Sequence, residues 1–431
     1  MTAVTTRPPA SAAPAAAQAL APISWRGPII YGVLAVAALL FFALLPEGGR
    51  PTTFQVSRGG DLFAIPNFAL GLKPTNITLG VLLLALAGYA TWAAASRRKV
   101  GVWLPALFGV AFVLTFLVWV GAGRATVIPV TTLLSGALAL SVPLVFGALC
   151  GVVCERSGIV NIAIEGQLLG GAFLAAVVGS LTSSAYLGMI AAPVAGVLVG
   201  AILAFFAVRY WVDQIIVGVV LNVLVVGVTS FLFSTVLTEN KATWNAGQRL
   251  PALPIPGLSE IPVIGPVLFR QTLLVYLMYA AVIVLQIWIF RSRWGLRMRA
   301  VGEHPKAADT VGIKVNRTRV LNTLLGGAIA GLGGAFFTVG SGLAFGKEMS
   351  AGQGYIALAA MILGRWNPTG AVAAALLFGF SRNLGNVLST IGSNVPSEFL
   401  LMLPYVVTIF AVAGLVGRVR APAAENIPYI K

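Results

Sequence analysis

Charged side chains are scarce in this sequence. Asp, Glu, Lys and Arg make up 9% of its 431 residues, against about 25% in a soluble globular domain. A soluble fold of this length is therefore excluded. Histidine occurs once, at His304, and cysteine twice, at Cys150 and Cys154. With one histidine and no ligand cluster, neither a histidine triad nor a multi-histidine metal centre can be built. The two cysteines lie one helical turn apart at the end of an apolar run, where packing is the reading preferred over a metal site. No Gly-x-x-x-x-Gly-Lys-Ser/Thr loop occurs, so any energy from ATP has to come through another subunit. The sequence calls for no cofactor and no metal of its own.

What is present is apolar length. Hydrophobic residues make up 58% of the chain and the mean hydropathy is +0.94. They fall in runs of about 20, long enough to cross the hydrocarbon layer as helices. Helices are expected because backbone polar groups in lipid must bond within their own segment. The runs are 27–45, 77–95, 102–122, 127–154, 159–181, 186–208, 214–237, 271–290, 320–343 and 399–416. Before the last comes a broken stretch, 354–391, interrupted by Gly364-Arg-Trp-Asn-Pro368, which reads as short helix, turn and longer helix. The expected fold class is all-α: a polytopic transmembrane helical bundle of about eleven spanning helices plus one short half-helix.

The formal net charge of +16 does not point to nucleic acid, because Lys and Arg sit between the apolar runs. Their clusters are Arg97-Arg98-Lys99, Arg209, the loop 291–319, and Arg418 with Arg420. If each run crosses once and the broken stretch is a hairpin, all of these fall on one side, and that side with both termini is cytoplasmic. Residues 1–24, rich in Ala, Pro and Thr, read as a disordered cytoplasmic tail. The first run is too long for a signal peptide and lacks a convincing cleavage site, so it reads as a membrane anchor. The segment 238–270, with five prolines, is the largest external one. It is read either as a cover for part of the outer mouth or as an inert loop.

The loop 291–319 carries eight basic residues against two acidic ones, Glu303 and Asp309. Pro305 can start a helix, Gly312 can end it, and Ala307, Ala308 and Val311 give it a small apolar face. From physics alone such a helix either docks on a partner or lies on the headgroups. The second feature is Asn161 and Glu165, four apart on one helical face. A membrane carboxylate is costly, so Glu165 faces protein or water. It lines a solute pathway, bonds a neighbouring helix, or sits near the interface. Asn222 and Tyr355 are weaker pathway candidates, since polar side chains between helices are often glue. Arg382 is read as snorkelling. The glycine spacings 166/170, 196/200 and 327/331 favour close helix packing and carry no information on solute.

The stretches 155–166, 294–313 and 354–368 together resemble the permeases of ATP-binding-cassette importers that serve branched-chain amino acids, ribose-like sugars and nucleosides. Ser157-Gly-Ile-Val-Asn-Ile-Ala-Ile-Glu-Gly166 and Leu253-Pro-Ile-Pro-Gly-Leu-Ser-Glu-Ile-Pro-Val-Ile-Gly265 look most like the nucleoside members. The likeness runs from about Val127 to Val416. It implies an amino-terminal extension of about three membrane helices over 25–126, a permease core over 127–416, and a cytoplasmic tail over 417–431. It also implies that Gly302, Glu303, Pro305, Ala307, Ala308, Asp309, Val311 and Gly312 form a coupling helix seated on an ATP-binding subunit. A second permease subunit and an extracytoplasmic binding protein or lipoprotein complete the expected set of partners, with lipid around them in the cell membrane and no nucleic acid. Such a chain is not an enzyme: it passes nucleosides or related small polar solutes, with sugars or branched-chain amino acids as the alternative cargo. A stand-alone ion-coupled secondary transporter is the rival class, and an intramembrane enzyme lacks its catalytic groups.

Overall fold

The computed structural model describes residues 25–47, 49, 51–98, 100–101, 103–123, 127–392, 399, 402, 405 and 420–431. The tail to Ser24, Lys99, Arg418 and all but three residues of the run 399–416 lie outside the described residues. Ten helices among the described residues are long and apolar enough to cross a membrane. The eleventh expected span is the run 399–416.

The described residues fall into two compact units: those up to Pro46 with Asn76–Phe116, and Glu47–Thr75 with those from Leu117 on. The resemblance implies a boundary at 126/127. In the first unit, α1 (Arg26–Ala38), the body of α2 (Leu72–Ala95) and most of α3 (Trp103–Gly121) enclose Ala35, Leu83, Ala87, Leu104 and Phe108. Asn76 Nδ2 donates to the Phe42 carbonyl at 2.7 Å, so the donor side of its amide is met in an apolar setting.

The second unit is held at its start by a small sheet. β1 (Thr52–Gln55) pairs antiparallel with β2 (Phe68–Leu70) and parallel with β3 (Val127–Pro129). That pairing ties 52–55 to the beginning of α4 (Val130–Glu155), the central helix. Next come α5 (Ile164–Leu181), α6 (Ala185–Ala204) and α7 (Gln214–Leu232), with α6 and α7 both packed on α5. The short α8 (Lys241–Trp244) follows, then β4 (Ala252–Pro254) paired antiparallel with β5 (Arg270–Thr272), then α9 (Leu273–Arg291). The loop helices α10 (Arg293–Glu303) and α11 (Pro305–Thr310) lead to α12 (Val315–Gly334). The broken stretch is the half-helix α13 (Gln353–Leu363) followed by α14 (Pro368–Thr390), as its Gly and Pro content predicts.

Local chemistry sets these boundaries. Asp213 Oδ1 accepts from the amides of Ile215 and Ile216 and starts α7, while Asn367 Oδ1 accepts from Thr369 and starts α14. The most apolar stretch of α4 is 89% buried, whereas those of α7 and α9 are 28% buried. α4 is thus the axis, and the other two present apolar side chains outward, as lipid-facing helices do. At the crossing of α6 and α12, a Cβ on Gly196 would overlap the Gly327 carbonyl, and one on Gly327 the Gly196 carbonyl. The two backbones touch there, which is the contact that the glycine spacings favour.

Candidate functional site

The turn after α4 prepares both candidate regions. Gly158 takes φ +91°, a left-handed geometry that suits glycine, and the chain does not become helical again until Ile164. Asn161 therefore lies in a turn and shares no helical face with Glu165. The four-residue spacing would have required the helix to start by Asn161, three residues before α5 does. Asn161 Nδ2 donates to Gln167 Oε1 at 3.0 Å and to Cys150 Sγ at 3.1 Å, fully buried.

Glu165 opens α5, is buried, and is held by three donors. Its Oε1 accepts from Ser350 Oγ at 2.6 Å and the Gly352 amide at 2.8 Å, and its Oε2 from the Gly354 amide at 2.6 Å. Gly352 takes φ +77° just before α13, so the first amides of that half-helix face the carboxylate. A negative charge at a helix N-terminus is favourable on both hydrogen-bond and dipole grounds. Asn222 of α7 uses both its donors and its acceptor oxygen beside it. Its Oδ1 accepts from Gly166, and its Nδ2 donates to the Ile162 carbonyl and, at 3.0 Å, to the Tyr355 hydroxyl. Tyr355 is 47% exposed and carries this network to the surface. Glu165, Asn222 and Tyr355 thus meet at the start of α13, while Asn161 turns to Cys150 and Gln167. Ser350 and Gly352 went unread in the sequence. Gly352-Gln-Gly354 ahead of an apolar helical run was the signal for a helix start open to an anion.

The loop region forms as expected in its boundaries. Pro305 is the first residue of α11, and Gly312 at φ +84° follows it, with the Ile313 amide bonded back to the Ala308 carbonyl at 3.0 Å. Its apolar residues do not share one face. Ala308 is 3% exposed and packs with Val301, Val315 and Tyr429, whereas Val311 is 74% exposed and Ala307 is exposed too. With only six residues, α11 has one side against α10 and α12 and one side free. Gly302 is buried against the Arg156 carbonyl, where a Cβ would overlap, so α10 seats on the α4–α5 turn. Glu303 and His304 are exposed.

The Gly364–Pro368 turn docks at the same place. Trp366 Nε1 donates to Glu155 Oε2 at 2.6 Å, and Arg156 Nε donates to the Trp366 carbonyl. The Arg156 guanidinium lies 5.1 Å from the centre of the Phe290 ring. Burial, with Arg299 nearby, pulls it below the ordinary arginine range. Sequence reasoning also missed residues 420–431, which lie across this surface.

The chain matches the family described as "Branched-chain amino acid transport system / permease component" over residues 133–412. It is 37% identical over 303 residues to the guanosine ABC transporter permease protein NupQ of Bacillus subtilis, covering 68% of this chain and 95% of that one. It is 39% identical over 305 residues to the nucleoside ABC transporter permease protein NupC of Lactococcus lactis, with the same two coverages, 68% and 95%. With the glucose ABC transporter permease protein TsgB13 of Haloferax volcanii it shares 30% over 292 residues, 65% of this chain and 76% of the relative. No solved structure matches the chain. The family match spans the axis helix α4, the Glu165 junction and the 291–319 loop alike, and the chain belongs to this family of permease components, as a multi-pass protein of the cell membrane.

Proposed function

We propose that this chain is the membrane-spanning permease subunit of an ATP-driven importer for nucleosides. The observation that carries the reading is the joint likeness to NupQ and NupC, at 37% and 39% identity over 95% of each. The chain performs no chemistry. ATP is bound and split by a separate subunit that seats on the exposed side of α11, around Ala307 and Val311. A second permease subunit pairs with it, and an extracytoplasmic binding protein or lipoprotein delivers the solute. The 291–319 loop and both termini are cytoplasmic, in keeping with the excess of Lys and Arg there. Closure of the ATPase pair pushes on the loop and switches the permease between its two openings.

Tyr355 and Asn222 are the pathway groups, one exposed and the other bonded to it. Glu165 serves the pathway from behind by fixing α13, and Asn161 by fixing the turn before α5. The likeness to TsgB13 favours a sugar as the second reading. The deciding experiment is uptake of labelled guanosine by vesicles that hold the whole complex, with ATP inside and with the ATPase omitted. ATP-dependent uptake, competed by nucleosides and not by glucose, is the expected result. Uptake by the chain alone under an ion gradient would make it a secondary transporter, and competition by glucose alone would make the cargo a sugar.

A further inference from the structure

Residues 420–431, Arg-Ala-Pro-Ala-Ala-Glu-Asn-Ile-Pro-Tyr-Ile-Lys, touch four separate parts of the loop end of the bundle. On α10, the Gly302 carbonyl accepts from the Ala424 amide at 2.8 Å, and Glu303 Oε2 from the Ala423 amide at 3.3 Å. On α12, Arg319 is 1% exposed and donates to the carbonyls of Ile427 at 2.8 Å and Ala424 at 3.2 Å. At the start of α7, the Asn426 amide bridges Asp213 Oδ2 and the Gln214 backbone amide, each at 3.3 Å. Gln214 in turn accepts from the Val160 amide at 2.7 Å, which joins the α4–α5 turn to the same chain of contacts. On α11, Tyr429 is buried with Val301, Ala308 and Val315, and Asp309 meets Lys431 Nζ at 3.5 Å.

A buried arginine in this position is informative. Burial of a guanidinium is costly unless its donors are met. Two of its donor groups, Nη1 and Nη2, are met by carbonyls of the tail. Removing the tail therefore leaves an uncompensated cation under the loop, and the loop, the α4–α5 turn and α7 lose their common partner. The small α11 has few other inward contacts: Ala308 is its one buried residue.

We infer that residues 421–431 are a positioning strap: they bind α7, α10, α11, α12 and the α4–α5 turn into one body, so that a push on α11 moves the membrane helices instead of bending the loop. This rests on the reading of the loop as the element that receives the push. Asn426, Tyr429 and Arg319 are its positioning residues, and none of them faces solute or ATP.

The test uses the whole complex in vesicles, with the full chain, a chain ending at Arg420, Asn426→Ala, Tyr429→Ala and Tyr429→Phe. Two quantities are read: solute moved per ATP split, and amide hydrogen exchange across 155–161 and 300–315. The truncated chain and Tyr429→Ala are expected to keep hydrolysis while solute moved per ATP falls by about two- to thirtyfold. Exchange in both segments rises, and Tyr429→Phe restores most of the loss because the ring packing remains. Wild-type values of both quantities in the truncated chain and in both alanine variants overturn the strap. If the truncated chain fails to assemble, the single variants decide in the same way. If the wild-type complex shows no ATP-driven uptake, the importer reading falls, and exchange alone judges the strap: unchanged exchange in the variants refutes it, and raised exchange at both segments sustains it.

Discussion

Glu155 and Glu165 sit ten residues apart, on either side of one turn, and both are buried. Their surroundings differ in the supply of donors. Glu165 meets three, two of them backbone amides at the head of α13. Glu155 meets the Trp366 indole and faces a second carboxyl group, Glu425. A carboxylate surrounded by donors is a fixed anchor, because its charge is needed to satisfy them. Two buried carboxyl groups that face each other repel when both are charged, so their contact is a joint whose strength follows pH. The membrane half of the molecule is thus pinned, while the loop half is fastened by a contact that can be released.

Breaking the anchor is expected to have the largest effect. Glu165→Ala leaves the Ser350 hydroxyl and the Gly354 amide buried without partners, at about 1–3 kcal/mol each, and unpairs the half-buried Gly352 amide. That is a large share of a stability of about 5–15 kcal/mol. The expected outcome is loss of folded, assembled protein on size-exclusion chromatography. Glu155→Ala strands only the Trp366 indole among these donors, so its assembly survives with a lower melting temperature. If Glu165→Ala instead assembles normally and only transport fails, the carboxylate belongs to the pathway and the contrast between the two glutamates disappears.

The same contrast separates what is legible in the amino-acid sequence from what is not. Apolar length makes the spanning helices legible, because in lipid a run of about 20 apolar residues has few alternatives to a helix. The hairpin at Gly364–Pro368 and the bounds of α11 are legible for equally local reasons, a turn sequence and a Pro/Gly pair. Which side of α11 points inward is not, since Ala307, Ala308 and Val311 are all apolar and the choice depends on α10, α12 and Tyr429. The pairing of Asn161 with Glu165 fails because α5 begins only at Ile164, so the two share no helix. The contacts of Glu165 with Ser350 and of Arg319 with Ile427 join residues 185 and 108 apart, and no local pattern encodes such a meeting.

The next prediction separates the two sides of α11. Ala308→Glu places a carboxylate in the cluster of Val301, Val315 and Tyr429 beside Asp309, where an unpaired buried charge costs about 3–5 kcal/mol. Val311→Glu acts on a 74% exposed side chain, where substitutions change stability by no more than about 0.5 kcal/mol. In detergent, Ala308→Glu is expected to lower the melting temperature and Val311→Glu to leave it unchanged. In the complex both reduce ATP-driven uptake, the first through the fold of the loop and the second through docking. Normal uptake by Val311→Glu would mean that the exposed side of α11 meets no partner.

The smallest expected effect sharpens the joint itself. Burial raises the carboxyl group of Glu425 above its ordinary range. When the tail lifts away, Glu425 returns to water and to its ordinary value. A group whose value is higher in the seated state binds its proton more tightly there, so protonation favours seating. The contribution is fully present below the ordinary carboxylate range and is lost as pH rises through the raised value. Exchange at the Ala424 amide, which is bonded to the Gly302 carbonyl, reports seating. Corrected for the intrinsic pH dependence of exchange, its protection is expected to decline as pH rises through the acid range in the wild type. Glu425→Gln keeps the shape and removes the titration at this position, so its protection should decline less with rising pH than the wild type's, with Glu155 as the remaining titrating partner. Glu155→Gln with Glu425→Gln then removes the dependence altogether. The effect is modest, because Glu425 is one residue of a twelve-residue contact whose bonds to Arg319 and Asn426 persist. A pH-independent protection in the wild type would show that the two glutamates do not form a proton-linked joint, and that both ends of the turn are anchors of one kind.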